Sequence, residues 1–191
     1  MKITEFLVPE AIIPSLRSTD KESVVKEMVE TLAKAGLVKN AAHAVEVLLE
    51  REKLGSTGIG QNIAVPHAKS EEVKNLALGV GISEKGVDFE ALDGDPVNII
   101  FMVIAPIDAT VLHLKVLARI ARLLKYKVFR NSLRSCKTAE KIYETIKEED
   151  ERAALCRFAF IHIAALALSS ASSAYFHVRL RCCLLAALLY F

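Results

Sequence analysis

The chain has 191 residues, 52% of them hydrophobic and 25% charged, which fits one ordinary domain with spare length and excludes a disordered or a wholly membrane-embedded chain. Its 25 basic and 23 acidic residues nearly cancel, so the global field gives no reason to expect nucleic acid, a membrane surface or a polyanion as partner. Function has to come from local motifs.

After an opening segment with Pro9 and Pro14, Ser18-Thr19-Asp20 offers helix caps, and Val24, Val25, Met28, Val29, Leu32 and Ala33 recur at helical spacing up to Gly36. A second amphipathic helix starts from the cap Asn40, carries Ala44, Val47, Leu48 and Leu49, and runs through Glu50-Arg51-Glu52-Lys53 to a stop at Gly55. The run from Gly55 to Asn62 contains Ser56, Thr57, Gly58 and Gly60 and permits tight turns. It delivers a short strand, Ile63-Ala64-Val65, that ends at Pro66-His67.

Leu76 to Ile82 and Val97 to Ile104 read as buried strands, with the turn Asp93-Gly94-Asp95-Pro96 before the second. From about Ala109 to Leu124 the pattern turns helical. At about 100° per residue, His113, Leu117, Ile120 and Leu124 share an inward stripe, with Lys115, Arg119 and Arg122 opposite. Phe129 and Leu133 suggest a short further helix, and Thr138 to Lys147 a closing one. The expected fold class is α/β: a single layered domain with a mixed β-sheet flanked by helices, over residues 1–152, plus an atypical apolar C-terminal tail.

That tail, residues 153–191, is mostly Ala, Leu, Ser, Phe and Cys, with Arg157, Arg179 and Arg181 but no Asp, Glu or Lys. Phe158 to Val178 holds no formal charge over a span long enough for a bilayer, against which stand His162, His177 and the serines between 169 and 173. A membrane-associated tail, an extra helix on the domain or a partner, and a frame-shifted or non-native extension are the readings. The abrupt loss of acids and lysine favours the last. Cys136, Cys156, Cys182 and Cys183 show no CxxC pair or scaffold spacing, and the N-terminus has no signal-peptide pattern. A reducing, cytoplasmic location is expected.

Two histidines sit where chemistry is at home: His67 beside the glycine-rich run, and His113 near the start of a helix. A neutral imidazole is a competent nucleophile near neutral pH, and helix N-termini and loop amides stabilise anionic oxygens. Phosphohistidine formation matches those ingredients. A strand-capping His67 and a hydrogen-bonded core His113 fit the periodicity equally well. Arg51, a lone arginine at a helix end, suits the surface or the helix dipole better than a phosphate. No GxGxxG follows a strand, and His43, His67 and His113 show no metal-ligand spacing, so neither a dinucleotide nor a metal is expected. The basic stretch from Lys115 to Lys141 has few interleaved aromatics, which argues against nucleic acid.

The string Arg51-Glu52, then Gly55-Ser56-Thr57-Gly58-Ile59-Gly60, then Ala64-Val65-Pro66-His67, followed by Leu112-His113-Leu114-Lys115-Val116-Leu117-Ala118, resembles a known family. It is similar to the type 2 enzyme IIA domain of the bacterial phosphoenolpyruvate-dependent phosphotransferase system, over about residues 2–150. The resemblance implies that His67 is the phosphoacceptor, forming a tele-phosphohistidine, with HPr as donor and a IIB component as acceptor that serves a separate membrane IIC. It implies that His113 stabilises the transferred phosphoryl group, that Arg51 neutralises its charge, and that Thr57 and the amides from Gly58 onward orient His67 or bind phosphoryl oxygens. No bound cofactor is implied. Two roles fit the family: a carrier in fructose- or mannitol-type sugar uptake, and a nitrogen-related regulatory protein whose phosphorylation state controls binding to other proteins.

Overall fold

The apolar runs of the sequence assemble into a six-stranded mixed sheet; the computed structural model describes residues 1–153. Residues 154–191 lie outside the described residues, and with them every reading of the tail. The elements in chain order are β1 (Leu7–Ile13), α1 (Lys21–Lys34), α2 (Ala41–Lys53), β2 (Gly58–Gly60), β3 (Ile63–Ala64), β4 (His67–Lys69), β5 (Ala77–Val87), β6 (Val97–Ala105), α3 (Thr110–Leu124) and α4 (Lys127–Ser135). A further helix, α5, begins at residue 139. Among the described residues no helix is long and apolar enough to cross a membrane.

The strand order is β1-β5-β6-β3-β2, with β4 also paired to β6. All of β6 is buried, and its alternating side chains feed two layers. Ile100, Met102 and Ile104 join one cluster with Val24, Val25, Met28 and Leu32 of α1 and with Ala44 and Leu48 of α2. The strand period of two sends Ile99, Phe101 and Val103 to the other face, where α3 and α4 pack on β6. The expected mixed sheet between helices is therefore present.

β3 and β4 share one register on β6: Ile63 and Ala64 oppose Ile99 and Ile100, and His67, Ala68 and Lys69 oppose Val103, Ile104 and Ala105. The offset does not change, so the two pieces are one strand interrupted at Val65-Pro66. Proline has no N–H to give, yet its carbonyl still accepts from Val103 N–H at 2.9 Å. His67 thus leaves the interruption with its position fixed by the central strand.

Both predicted helix caps form. The Asp20 carboxylate accepts from Ser23 N–H and the Asn40 side chain from His43 N–H. The glycine-rich run is more ordered than a loop: Gly58–Gly60 pairs antiparallel with β3 around a turn at Gln61 and Asn62, both at positive φ (56° and 65°). Gly60 has φ +84°, and a Cβ there meets Asp93 Oδ2 at 2.7 Å. The opening segment with Pro9 is an edge strand, β1, whose parallel register to β5 shifts between Leu7 and Ile12. Proline is tolerated at such an irregular edge.

One expectation is corrected. Arg119 was expected on the outer face of α3, and it is buried. The buried stripe runs through His113, Val116, Ile120, Leu123 and Leu124, so it is turned toward Arg119 and leaves Leu117 half-buried. The cause is an acid from α5: Arg119 Nε donates to Asp150 Oδ1 at 2.7 Å and its Nη2 donates to the Asp150 carbonyl. Asp150, fully buried, also accepts from Ile3 N–H through Oδ2 at 2.6 Å. A carboxylate in α5 so ties the N-terminal turn to α3.

Removing one member of a buried pair strands the other without compensation. Asp150→Ala is expected to lower unfolding stability by about 3–5 kcal/mol, read as a fall in the urea midpoint. An unchanged midpoint shows that the clamp contributes nothing net.

Candidate functional site

His67 is half-buried at the first position of β4, immediately after the proline interruption. Its Nδ1 lies 2.8 Å from the Val65 carbonyl. A carbonyl only accepts, so the bond assigns the proton to Nδ1 and leaves the lone pair of the neutral ring on Nε2. Backbone geometry thus selects the tautomer in which the outer nitrogen is the nucleophile.

His113 comes to it from the first turn of α3. The two rings meet edge to face, with centroids 5.6 Å apart and planes at 76°. His113 is buried, and its Nε2 is a buried side-chain atom with no hydrogen-bond partner. Orphaned polar atoms are rare in protein interiors and carry a desolvation cost. Burial, then the neighbouring His67, then Lys69 push the His113 imidazole below its ordinary value. It is therefore a neutral ring near pH 7.

Two charged groups border the pair. Lys69 is two residues past His67, on the same side of the strand, and its Nζ donates to Thr110 Oγ1 at 2.7 Å. The N-cap of α3 is Ala109, which offers no side-chain acceptor to the first-turn amides. Arg51, in the last turn of α2, donates from Nη1 to the Gly55 carbonyl at 3.1 Å. In this structure it ties down the loop just past the C-terminal end of α2.

The donors of Thr57 and Gly58 are engaged within their own segment. The Thr57 amide and hydroxyl donate to Glu52 Oε1 and Oε2 at 2.8 and 2.7 Å, so the hydroxyl proton is committed to a carboxylate. The Gly58 amide donates to Ser56 Oγ at 3.1 Å. A Cβ on Gly58 meets Ala91 Cα at 2.8 Å, so the glycine serves close backbone packing. The structure brings His67 and His113 together; it places Arg51, Thr57 and Gly58 in the segment that leads to them.

Sequence reasoning missed Lys69 and Glu52. The alternation of a strand through His67 was a usable signal for Lys69. Glu52 had none, because its burial depends on a loop that folds back over it. Among the described residues no group of three or more His, Cys, Asp or Glu is placed to hold a metal ion. The chemistry on offer is a nucleophilic imidazole nitrogen beside an unpartnered imidazole and a lysine, an arrangement suited to a transferable anion.

Comparison with known proteins is consistent with this chemistry. A family model described as "Phosphoenolpyruvate-dependent sugar phosphotransferase system, EIIA 2" matches residues 5–149. A fructose-specific EIIABC component of that system from Bacillus subtilis (strain 168) is 40% identical over 151 residues, which are 79% of this chain and 24% of the relative. The chain thus spans about a quarter of that relative's length. A nitrogen regulatory protein from Bradyrhizobium diazoefficiens is 38% identical over 76% of this chain and 95% of its own length. Among solved structures, the nitrogen regulatory protein IIA-Ntr from Neisseria meningitidis superposes with a TM-score of 0.69 at 34% identity, covering 75% of this chain and 98% of that one.

The His113 environment has a pH signature. Its titration, followed by NMR, is expected below the free-imidazole value of about 6.5. The folded state then binds fewer protons than the unfolded state between the lowered and the free value. Stability is therefore expected to fall as pH drops through about 6.5, and His113→Gln is expected to shrink that acid-side loss. A titration at or above the free value contradicts the burial effect.

Proposed function

The chain belongs to the EIIA type 2 family of the phosphoenolpyruvate-dependent sugar phosphotransferase system, and from that premise we propose that it is a phosphoryl carrier using His67. The observation that carries the proposal is the buried, unpartnered Nε2 of His113 beside a His67 whose Nδ1 is already hydrogen-bonded. In this reading phospho-HPr presents its phosphohistidine to His67. The lone pair of His67 Nε2 forms the new N–P bond as the old one breaks, and the electron pair returns to the donor imidazole. A IIB component then takes the group by the same step in reverse roles.

Each neighbour has a stated part. The Nδ1–H to Val65 bond holds the ring in line and supports the positive charge that phosphorylation places on it. His113, protonated on Nε2 in its neutral form, donates to an equatorial phosphoryl oxygen and so satisfies its orphaned atom. Lys69 adds positive charge from the same strand. Arg51 contributes by exchanging the Gly55 carbonyl for a phosphoryl oxygen. Transfer between imidazoles rests on positioning and charge stabilisation and requires no cofactor. The working unit is residues 1–152, acting in the cytoplasm.

The route through IIB into fructose- or mannitol-type uptake is supported by the 40% identity to the fructose-specific component. A regulatory role is the second reading. It is supported by the 38% identity to the nitrogen regulatory protein from Bradyrhizobium diazoefficiens. In that role phosphorylation of His67 alters a protein-binding face in place of feeding transport.

Incubation with enzyme I, HPr and phosphoenolpyruvate, followed by intact-mass analysis under conditions that preserve phosphohistidine, is expected to add one phosphoryl group at His67. His67→Ala abolishes it; labelling that survives removes the assignment. His113→Ala is expected to retain acceptance but slow it by about 10²-fold. Arg51→Ala is expected to slow transfer as well, and wild-type kinetics there leave Arg51 as a tie on the loop after α2. A chain ending at Arg152 is expected to be labelled like the full chain, and loss of labelling on truncation assigns the tail a part.

A further inference from the structure

Glu52 is a buried acid that the proposed chemistry does not use. It sits in the last turn of α2, and both carboxylate oxygens are engaged by one residue, Thr57, through its amide and its hydroxyl. Lys21 Nζ, from the first residue of α1, lies 3.6 Å from Oε1 and also pairs with Glu90. The same ammonium stands 5.5 Å from the centre of the Phe89 ring. A desolvated carboxylate with a nearby cation and two short donors is a fixed point.

From that fixed point a chain of hydrogen bonds runs to the nucleophile. Glu52 Oε1 accepts from Thr57 N–H at 2.8 Å. The Thr57 carbonyl accepts from Val65 N–H at 3.0 Å. The Val65 carbonyl accepts from His67 Nδ1–H at 2.8 Å. The N–H and C=O of Thr57, and those of Val65, belong to successive peptide units joined through Cα, so the series acts by position. Three bonds tie His67 back to the carboxylate, each donor pointing towards Glu52.

We propose that Glu52 is a positioning residue for His67: through Thr57 and Val65 it holds the acceptor ring in the Nδ1–H tautomer, with Nε2 free and aimed outward. The role rests on His67 being the phosphoacceptor. It also accounts for Thr57, whose hydroxyl holds the carboxylate and whose amide and carbonyl are links in the chain. Nucleophilicity at Nε2 requires that its lone pair not be shared with a proton, and the local peptide bond alone does not fix where the Val65 carbonyl points. The strand is interrupted at that place, Pro66 has no N–H, and the Thr57 to Val65 bond is what ties the residue before it.

Glu52→Gln in the full chain tests the role, because the amide keeps the size and one acceptor while removing the charge. Side-chain 15N NMR of His67 is expected to show a protonated Nδ1 and an unprotonated Nε2 in the wild type. In the variant the two shifts are expected to move toward each other. The kcat for acceptance from phospho-HPr is expected to drop about tenfold, with KM for the donor unchanged. Thr57→Ala, which loses one of the two ties, is expected to move both readouts in the same direction by less, and it decides the question if Glu52→Gln does not fold. A folded variant with wild-type His67 shifts and wild-type kcat overturns the proposal. The NMR readout needs no phosphoryl donor. A tautomer shift in Glu52→Gln with no labelling of the wild type therefore upholds the positioning role while sinking the phosphocarrier reading. A labelled wild type with an unaffected Glu52→Gln does the reverse.

Discussion

The central strand β6 is the constraint on which the rest of the molecule depends. Every residue of it is buried, and both of its edges are paired. A strand in that position cannot slip by one residue without exchanging the side chains of its two faces, so the register of its neighbours is tightly specified. One neighbour is the interrupted strand made of β3 and β4, whose offset against β6 is the same before and after Pro66. The position of His67 is therefore set by core packing, and only its ring orientation is left to local hydrogen bonds.

The second histidine is set by the same strand at its far end. β6 ends at Ala105, and after Pro106 the chain turns into α3, so the first turn of that helix arrives beside β4. α3 is in turn held by Arg119, whose guanidinium is fixed by Asp150 of α5. The N-terminal turn shares that carboxylate through Ile3. Parts of the chain far apart in sequence thus fix the helix that carries His113. This scaffold is what brings the two rings into edge-to-face contact.

The site also carries an imbalance that the core does not. The other buried side-chain nitrogen and oxygen atoms among the described residues are met: Asn98 Nδ2 donates to the Ser83 carbonyl, and Glu52 receives Thr57 twice. His113 Nε2 is the exception, buried and without a partner. A protein retains such an atom at a cost in stability, and a ligand oxygen that meets it recovers that cost in the bound state. The surrounding positive groups, Lys69 and the uncapped first turn of α3, favour an anion.

Much of this was legible in the amino-acid sequence, because its signals are local. Helix caps at Asp20 and Asn40, the apolar runs of β5 and β6 and the α/β layering all follow from short-range pattern, and the order of motifs around His67 and His113 carried the family. Three things were not legible. The burial of Arg119 depends on an acid some thirty residues away, Asp150, which no helical wheel contains. The pairing of Gly58–Gly60 as a strand depends on β3 being presented by β6, and the extended segment with Pro9 becomes a strand because an irregular edge accepts it. The sequence by itself determined which residues are apolar, where helices start and stop, and which imidazoles stand near turns and helix ends. Only the tertiary structure decided which nitrogen of His67 is free, that His113 lacks a partner, and that Glu52 reaches His67 through Thr57 and Val65, because hydrogen bonds between segments depend on distance in space, which spacing along the chain does not encode.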